Sequence, residues 1–181
     1  MNSSASVADP DSRELFELFP LSDFLAEFND LPAAEVPPPY HGLLVHEHHM
    51  TVTVEAFHGE SVDVKVVEEQ RGAQAYSRKI LLITQKTRKV VQLGLVRIHL
   101  QYCSPAVREE ILAGKIPLGR VLIQHDVLRR IEPTSFMRVI PGPALMRWFG
   151  LTQPKPTYGR QAIIHCDGKP AIELLEIVSP V

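Results

Sequence analysis

Three groups of residues could do chemistry. The first is Arg78, in the stretch YSRKILLI. Strand alternation puts it on one face with Tyr76, Ile80 and Leu82. A guanidinium on a buried face needs an anion. Either one of the chain's own carboxylates supplies it, or Arg78 is held ready to grip a ligand carboxylate through its planar fork. The second group is Glu173 and Glu176, three residues apart on a last apolar stretch and therefore on opposite faces of a strand. One of them meets the core or a cavity, where it could accept a hydrogen bond or act as a general base. The third is the run His46, Glu47, His48, His49. In a strand, His46 and His48 would share a face and could hold a transition metal. Spacing offers no third ligand, so the run reads as a polar loop or helix entry, with no metal expected. The chain has no nucleophile elbow, phosphate loop, dinucleotide fingerprint or Cys–His pair.

Composition narrows the setting. The chain has 181 residues, 45% of them hydrophobic, enough for one domain with a sizeable core. A formal charge of −2 with dispersed basic residues predicts no nucleic-acid surface. Two cysteines, Cys103 and Cys166, do not make a disulfide framework, which fits reduced thiols in a cytoplasmic setting. Residues 1–11 lack the features of a signal peptide. No apolar run approaches the ~20 residues of a membrane helix, so no membrane partner is expected.

The elements that must position these residues follow from local signals. Residues 1–12 read as a disordered tail and 13–19 as a short helix stopped by Pro20. Ser22 could cap a turn holding Phe24, Leu25 and Phe28, with Leu21 as a staple. Residues 31–40 carry four prolines and read as an extended arm, so 1–40 form a tail and arm, and 41–181 the main domain. Strands are predicted at 62–66, 76–84, 90–100, 128–140, 158–166 and 171–178, with Asp167-Gly168 as a tight hairpin turn. Ser104-Pro105 opens a helix that Gly114 stops, and 144–150 is a shorter one. Residues 51–57 alternate like a strand, although Thr51 could cap a helix ending at Gly59. The expected fold is α+β, an antiparallel sheet of about six strands.

Four stretches, in this order, resemble the bacterial chorismate lyases. HHMTVTVEAFHGESVDVKVVEE is similar to that family's Met-Thr helix start and first strand, and YSRKILLI to its arginine strand. KIPLGRVLI is similar to its Pro-Leu-Gly segment, and DGKPAIELLEIVSP to its terminal hairpin. The likeness covers about residues 43–181. It implies helices packed on one side of the sheet, a helix at 51–57, a ligand buried under helical flaps, and no cofactor. It also implies roles. Arg78 would bind the ring carboxylate, with the backbone N–H groups near Met50 and Leu118 at the same end. Gly94 would leave room for the ring, and Glu176 would meet the ring hydroxyl. Counted from the Asp167-Gly168 turn the register is off by one, which keeps Glu173 as the competing acid. The substrate implied is chorismate, split into 4-hydroxybenzoate and pyruvate. The rival reading is a non-catalytic small-ligand domain related to the effector domains of GntR-type regulators. Monomer and homodimer are both open.

Overall fold

The structure is a computed structural model, and it describes residues 13–20, 22 and 24–181. The tail expected at 1–12 and the staple at Leu21 lie outside the described residues. Seven antiparallel strands form one sheet: β1 (Leu25–Leu31), β2 (Val62–Arg71), β3 (Tyr76–Thr84), β4 (Val90–Ile98), β5 (Arg129–Pro141), β6 (Thr157–Cys166) and β7 (Lys169–Val178). Their order across the sheet is β1-β5-β6-β7-β4-β3-β2. The helices are α1 (Arg13–Leu18), α2 (Tyr40–Leu44), α3 (Met50–His58), α4 (Pro105–Ala113), α5 (Leu118–Gln124) and α6 (Pro143–Phe149). No described helix is long and apolar enough to cross a membrane.

The single α+β domain and its antiparallel sheet are as expected. The central strand β7 is buried on both faces from Ala171 to Val178, which is why it reads as an almost unbroken apolar run. The edge strand β2 alternates instead, with Val62 buried and Asp63 exposed. On one face, Tyr76, Val96, Leu174 and Ile164 pack under α4 and α5, and Ile80, Leu82 and Val178 pack under α2 and α3. On the other, Leu81, Leu93, Leu95, Leu175 and Ile177 meet Leu15 of α1 and Leu145 of α6. Cys103 and Cys166 are free and buried in the first of these clusters, and burial pushes the Cys166 thiol up to about 12.

One local reading changes, and another is decided in favour of the helix that the resemblance implies. Phe24, Leu25 and Phe28 do not form a capped turn. Leu25–Leu31 is a seventh strand, pairing Phe28 with Val139 and Leu31 with Phe136 of β5. The apolar spacing suits either form, and pairing with a distant strand supplies the hydrogen bonds an isolated turn lacks. Residues 51–57, alternating as they are, lie in helix α3. Its Met50, Thr51 and Val54 are buried, while Val52 and Phe57 are exposed. Gly59, at φ +68°, ends it in the left-handed conformation, its N–H donating to the Glu55 carbonyl. The terminal hairpin turns at Asp167 and Gly168, both with positive φ, as a two-residue primed turn requires. Ser104 caps α4 by accepting from the Val107 N–H at 3.4 Å, and Gly114 closes it.

Candidate functional site

The face of the sheet covered by α2, α3, α4 and α5 carries two adjacent rows of side chains. Arg160, Glu176, Gly94 and Ile80 are successive cross-strand partners on β6, β7, β4 and β3. Ala162, Leu174, Val96 and Arg78 make the next row. Arg78 and Glu176 are thus two strands and one row apart, roughly 12 Å between Cα atoms on ordinary sheet spacings. Both line one cavity of about 40 Å³. Its floor also includes Gly94, Gln92 and Ile80, and its roof is His49, Met50, Thr51, Leu118 and Gly119. The structure therefore brings together all five residues singled out above: Met50, Arg78, Gly94, Leu118 and Glu176. Met50 and Leu118 open α3 and α5, and neither helix has a side chain capping its first-turn N–H groups.

Arg78 is 1% exposed. No carboxylate of the described residues lies within ion-pair distance of it. Its Nη1 donates to the Ile111 carbonyl at 3.3 Å, and its Nε has no partner. The nearest acid arrangement is indirect: Glu69 sits opposite Arg78 in register but accepts from the Tyr76 hydroxyl at 2.7 Å. Burial pulls the Arg78 pKa below its ordinary value, and the interactions with Tyr76 and Glu69 offset only part of this. An arginine that is buried, charged and short of acceptors suits an incoming anion.

The opposite pole is a pair. Glu176 Oε2 accepts from Arg160 Nε at 2.8 Å, and Arg160 is also 1% exposed. Arg160 was not singled out from sequence. The available signal was the one that marks Arg78: an arginine alternating with Tyr158, Ala162 and Ile164 in an apolar strand. Gly159 beside it allows β6 and β7 to meet closely, since a Cβ there would sit 2.8 Å from the Glu176 carbonyl oxygen. Glu173 lies on the other face, 2% exposed, where it accepts from Arg97 Nη2 at 2.9 Å and contacts His99 Nε2 at 3.0 Å. It does not line the cavity.

The histidine run lies between α2 and α3, as a polar helix entry. The His46 and His48 rings stack at 5.5 Å, and His46 Nε2 meets the Leu43 carbonyl at 2.7 Å. Among the described residues, no three His, Cys, Asp or Glu side chains gather as metal ligands do. His49 is buried and accepts at Nε2 from Arg129 Nε at 2.7 Å. It also lines a separate outer groove of about 660 Å³ with Val52, Ile123, Leu128 and Arg129, so its ring is a wall between groove and cavity.

Burial, then Arg129, Arg160 and His48, holds the His49 pKa down at about 4; burial, then Arg160, does the same for His46. Both lie below the unfolded value of 6.5. Their contribution to stability is therefore complete above pH 6.5 and drains away as pH falls toward 4. The urea midpoint is expected to fall between pH 7 and pH 5, and His49→Gln to flatten that fall. Equal wild-type midpoints at the two pH values would contradict this placement of the histidines.

No family model matches the chain, and no curated protein does. Solved structures do match. The effector domain of PhnF from Mycobacterium smegmatis is 15% identical with a TM-score of 0.56, over 73% of this chain and 88% of that one. A longer PhnF structure gives 14% and 0.56, over 75% of this chain; the chain spans 65% of that PhnF chain. The ligand-binding domain of a GntR-family transcriptional regulator from Bordetella bronchiseptica gives 12% and 0.50, over 65% and 85%. The chain therefore shares the fold of these effector and ligand-binding domains.

Proposed function

We propose that this chain is a chorismate lyase, releasing pyruvate from chorismate and leaving 4-hydroxybenzoate in the cavity. One observation carries the reading: Met50, Arg78, Gly94, Leu118 and Glu176 line a single cavity, with an unpaired guanidinium nitrogen at one pole and a carboxylate at the other. The ring carboxylate sits at Arg78 and the first-turn N–H groups of α3 and α5, and the ring hydroxyl at Glu176. The ring–ether C–O bond breaks with its electrons leaving on the enolpyruvate oxygen, the ring carbon that bears the hydroxyl gives up its hydrogen as a proton, and the enolpyruvate takes up a proton to become pyruvate. Aromatisation drives the reaction, so the protein has only to hold the reactive conformer and match the developing charge. No metal or redox cofactor enters this scheme. A cavity of about 40 Å³ holds a few waters, less than a hydroxybenzoate ring needs, so the roof of α3 and α5 must yield for ligand to enter and leave. Incubation with chorismate tests the reading: pyruvate and 4-hydroxybenzoate are expected in equal amounts, and unchanged chorismate would refute it.

The likeness to effector domains favours a second reading, a sensor that binds a small carboxylate without turning it over. Saturable 4-hydroxybenzoate binding with no pyruvate release would select it. Either reading makes a prediction at Gly94. A Cβ there would lie 3.0 Å from Ile80 Cδ1 and 3.1 Å from its Cγ1, contacts that a shift of the Ile80 side chain by a few tenths of an ångström relieves. Gly94→Ala should therefore fold normally, with a methyl group intruding on the cavity floor. We expect an unchanged urea midpoint and about tenfold weaker 4-hydroxybenzoate binding, read by equilibrium titration. Unweakened binding would place the ring elsewhere.

A further inference from the structure

We propose that Arg160 is a positioning residue that clamps the cavity's roof to Glu176, so that the carboxylate and the cover open together. This rests on the reading of the cavity as the ligand site. The geometry is a fork with two ends. Nε donates to Glu176 Oε2 at 2.8 Å, inside the cavity wall. The terminal nitrogens reach away from it. Nη1 donates to the His46 carbonyl at 2.8 Å and the Leu44 carbonyl at 3.3 Å, and Nη2 to the His48 carbonyl at 3.1 Å. Leu44 ends α2, and His46 and His48 belong to the irregular stretch 45–48 that follows it and leads straight into His49, Met50 and Thr51 of the roof.

Simple charge compensation for Glu176 would need one cation and nothing more. Here a single planar group bridges a cavity acid and three successive contacts on the segment that carries the roof. Lysine cannot do this: its ammonium can pair with Glu176, but it has no rigid fork with which to hold carbonyls on the far side. Opening the roof then means releasing Arg160, and releasing Arg160 frees the Glu176 carboxylate to move. Ligand exit and the aim of Glu176 become one event.

Arg160→Lys tests the clamp. In ligand-free protein, hydrogen exchange of the amides of residues 45–49 should rise about tenfold beyond any change at the core amides of β4 and β7, the size expected for losing charge-assisted hydrogen bonds. Dissociation of 4-hydroxybenzoate, followed by stopped flow, should quicken by a similar factor. Glu176→Gln keeps an oxygen for Nε, so exchange at 45–49 should stay at the wild-type level while turnover falls. An Arg160→Lys protein with wild-type exchange at 45–49, or with a rise matched throughout the core, overturns the proposal. If that variant does not fold, the wild type decides: the Arg160 Nε–H should exchange with the same opening free energy as amides 45–49, and independent exchange overturns the coupling. If the wild type binds no 4-hydroxybenzoate and releases no pyruvate, the ligand reading has failed, and the exchange arm still decides the clamp.

Discussion

Arg78→Met is expected to make the protein more stable and unable to bind its ligand. Arg78 is buried, its Nε has no acceptor, and its Nη1 makes only a long hydrogen bond, to the Ile111 carbonyl. Keeping a guanidinium there costs desolvation that nothing in the described structure repays in full, and burial already depresses its pKa. Methionine fills similar space without charge. We expect a gain of about 1–3 kcal/mol, within the range seen when buried charge gives way to apolar groups. The loss in 4-hydroxybenzoate affinity should be roughly 100-fold or more, as two charge-assisted hydrogen bonds disappear. Arg78→Lys keeps the charge without the fork and should lie between them in binding, with a large drop in turnover and the fold intact. Urea unfolding and ligand titration on the same samples give both numbers. A destabilised Met variant that binds normally would make Arg78 a structural residue.

Glu176→Gln and Glu173→Gln should separate chemistry from stability. Glu176 lines the cavity, and its amide analogue can still accept from Arg160 Nε. If it positions the ring hydroxyl or receives a proton, turnover should fall by about 10²- to 10⁴-fold. Glu173 lies across the sheet, with Arg97 and His99 as partners and its second oxygen unsatisfied. Its amide analogue weakens a buried ion pair and should cost about 1–3 kcal/mol, with turnover near the wild-type value. Steady-state kinetics beside thermal unfolding distinguish the two. A crippled Glu173→Gln with an active Glu176→Gln would reverse the assignment.

What could be read in the sequence was local. The hairpin β3–β4, the turn at Asp167-Gly168 and the capped helix α4 each announce themselves within a few residues. Arg78 and Glu176 were legible because alternation alone places them on faces, although alternation could not say which face was covered. The resemblance, not propensity, made residues 51–57 a helix, since a β-branched run says strand until its buried side is known. Strand β1 was illegible because its partner lies more than a hundred residues away in β5. Helix α5 is only seven residues long and opens on Leu118-Gly119 after a proline, and packing of Val121 and Leu122 holds it rather than intrinsic preference. Arg160 was missed for a related reason. Its role depends on carbonyls 112 to 116 positions earlier in the chain, which no local pattern reveals.

A crystal structure with 4-hydroxybenzoate tests the central claim most directly, namely that the cavity between Arg78 and Glu176 is the ligand site. The account predicts the ring in that cavity, its carboxylate accepting from Arg78 and from N–H groups at the starts of α3 and α5, and its hydroxyl against Glu176, with α3 and α5 displaced outward to admit it. A ligand seated in the outer groove beside Leu128 and Arg129, with the Arg78 Nε still unpartnered, would contradict it.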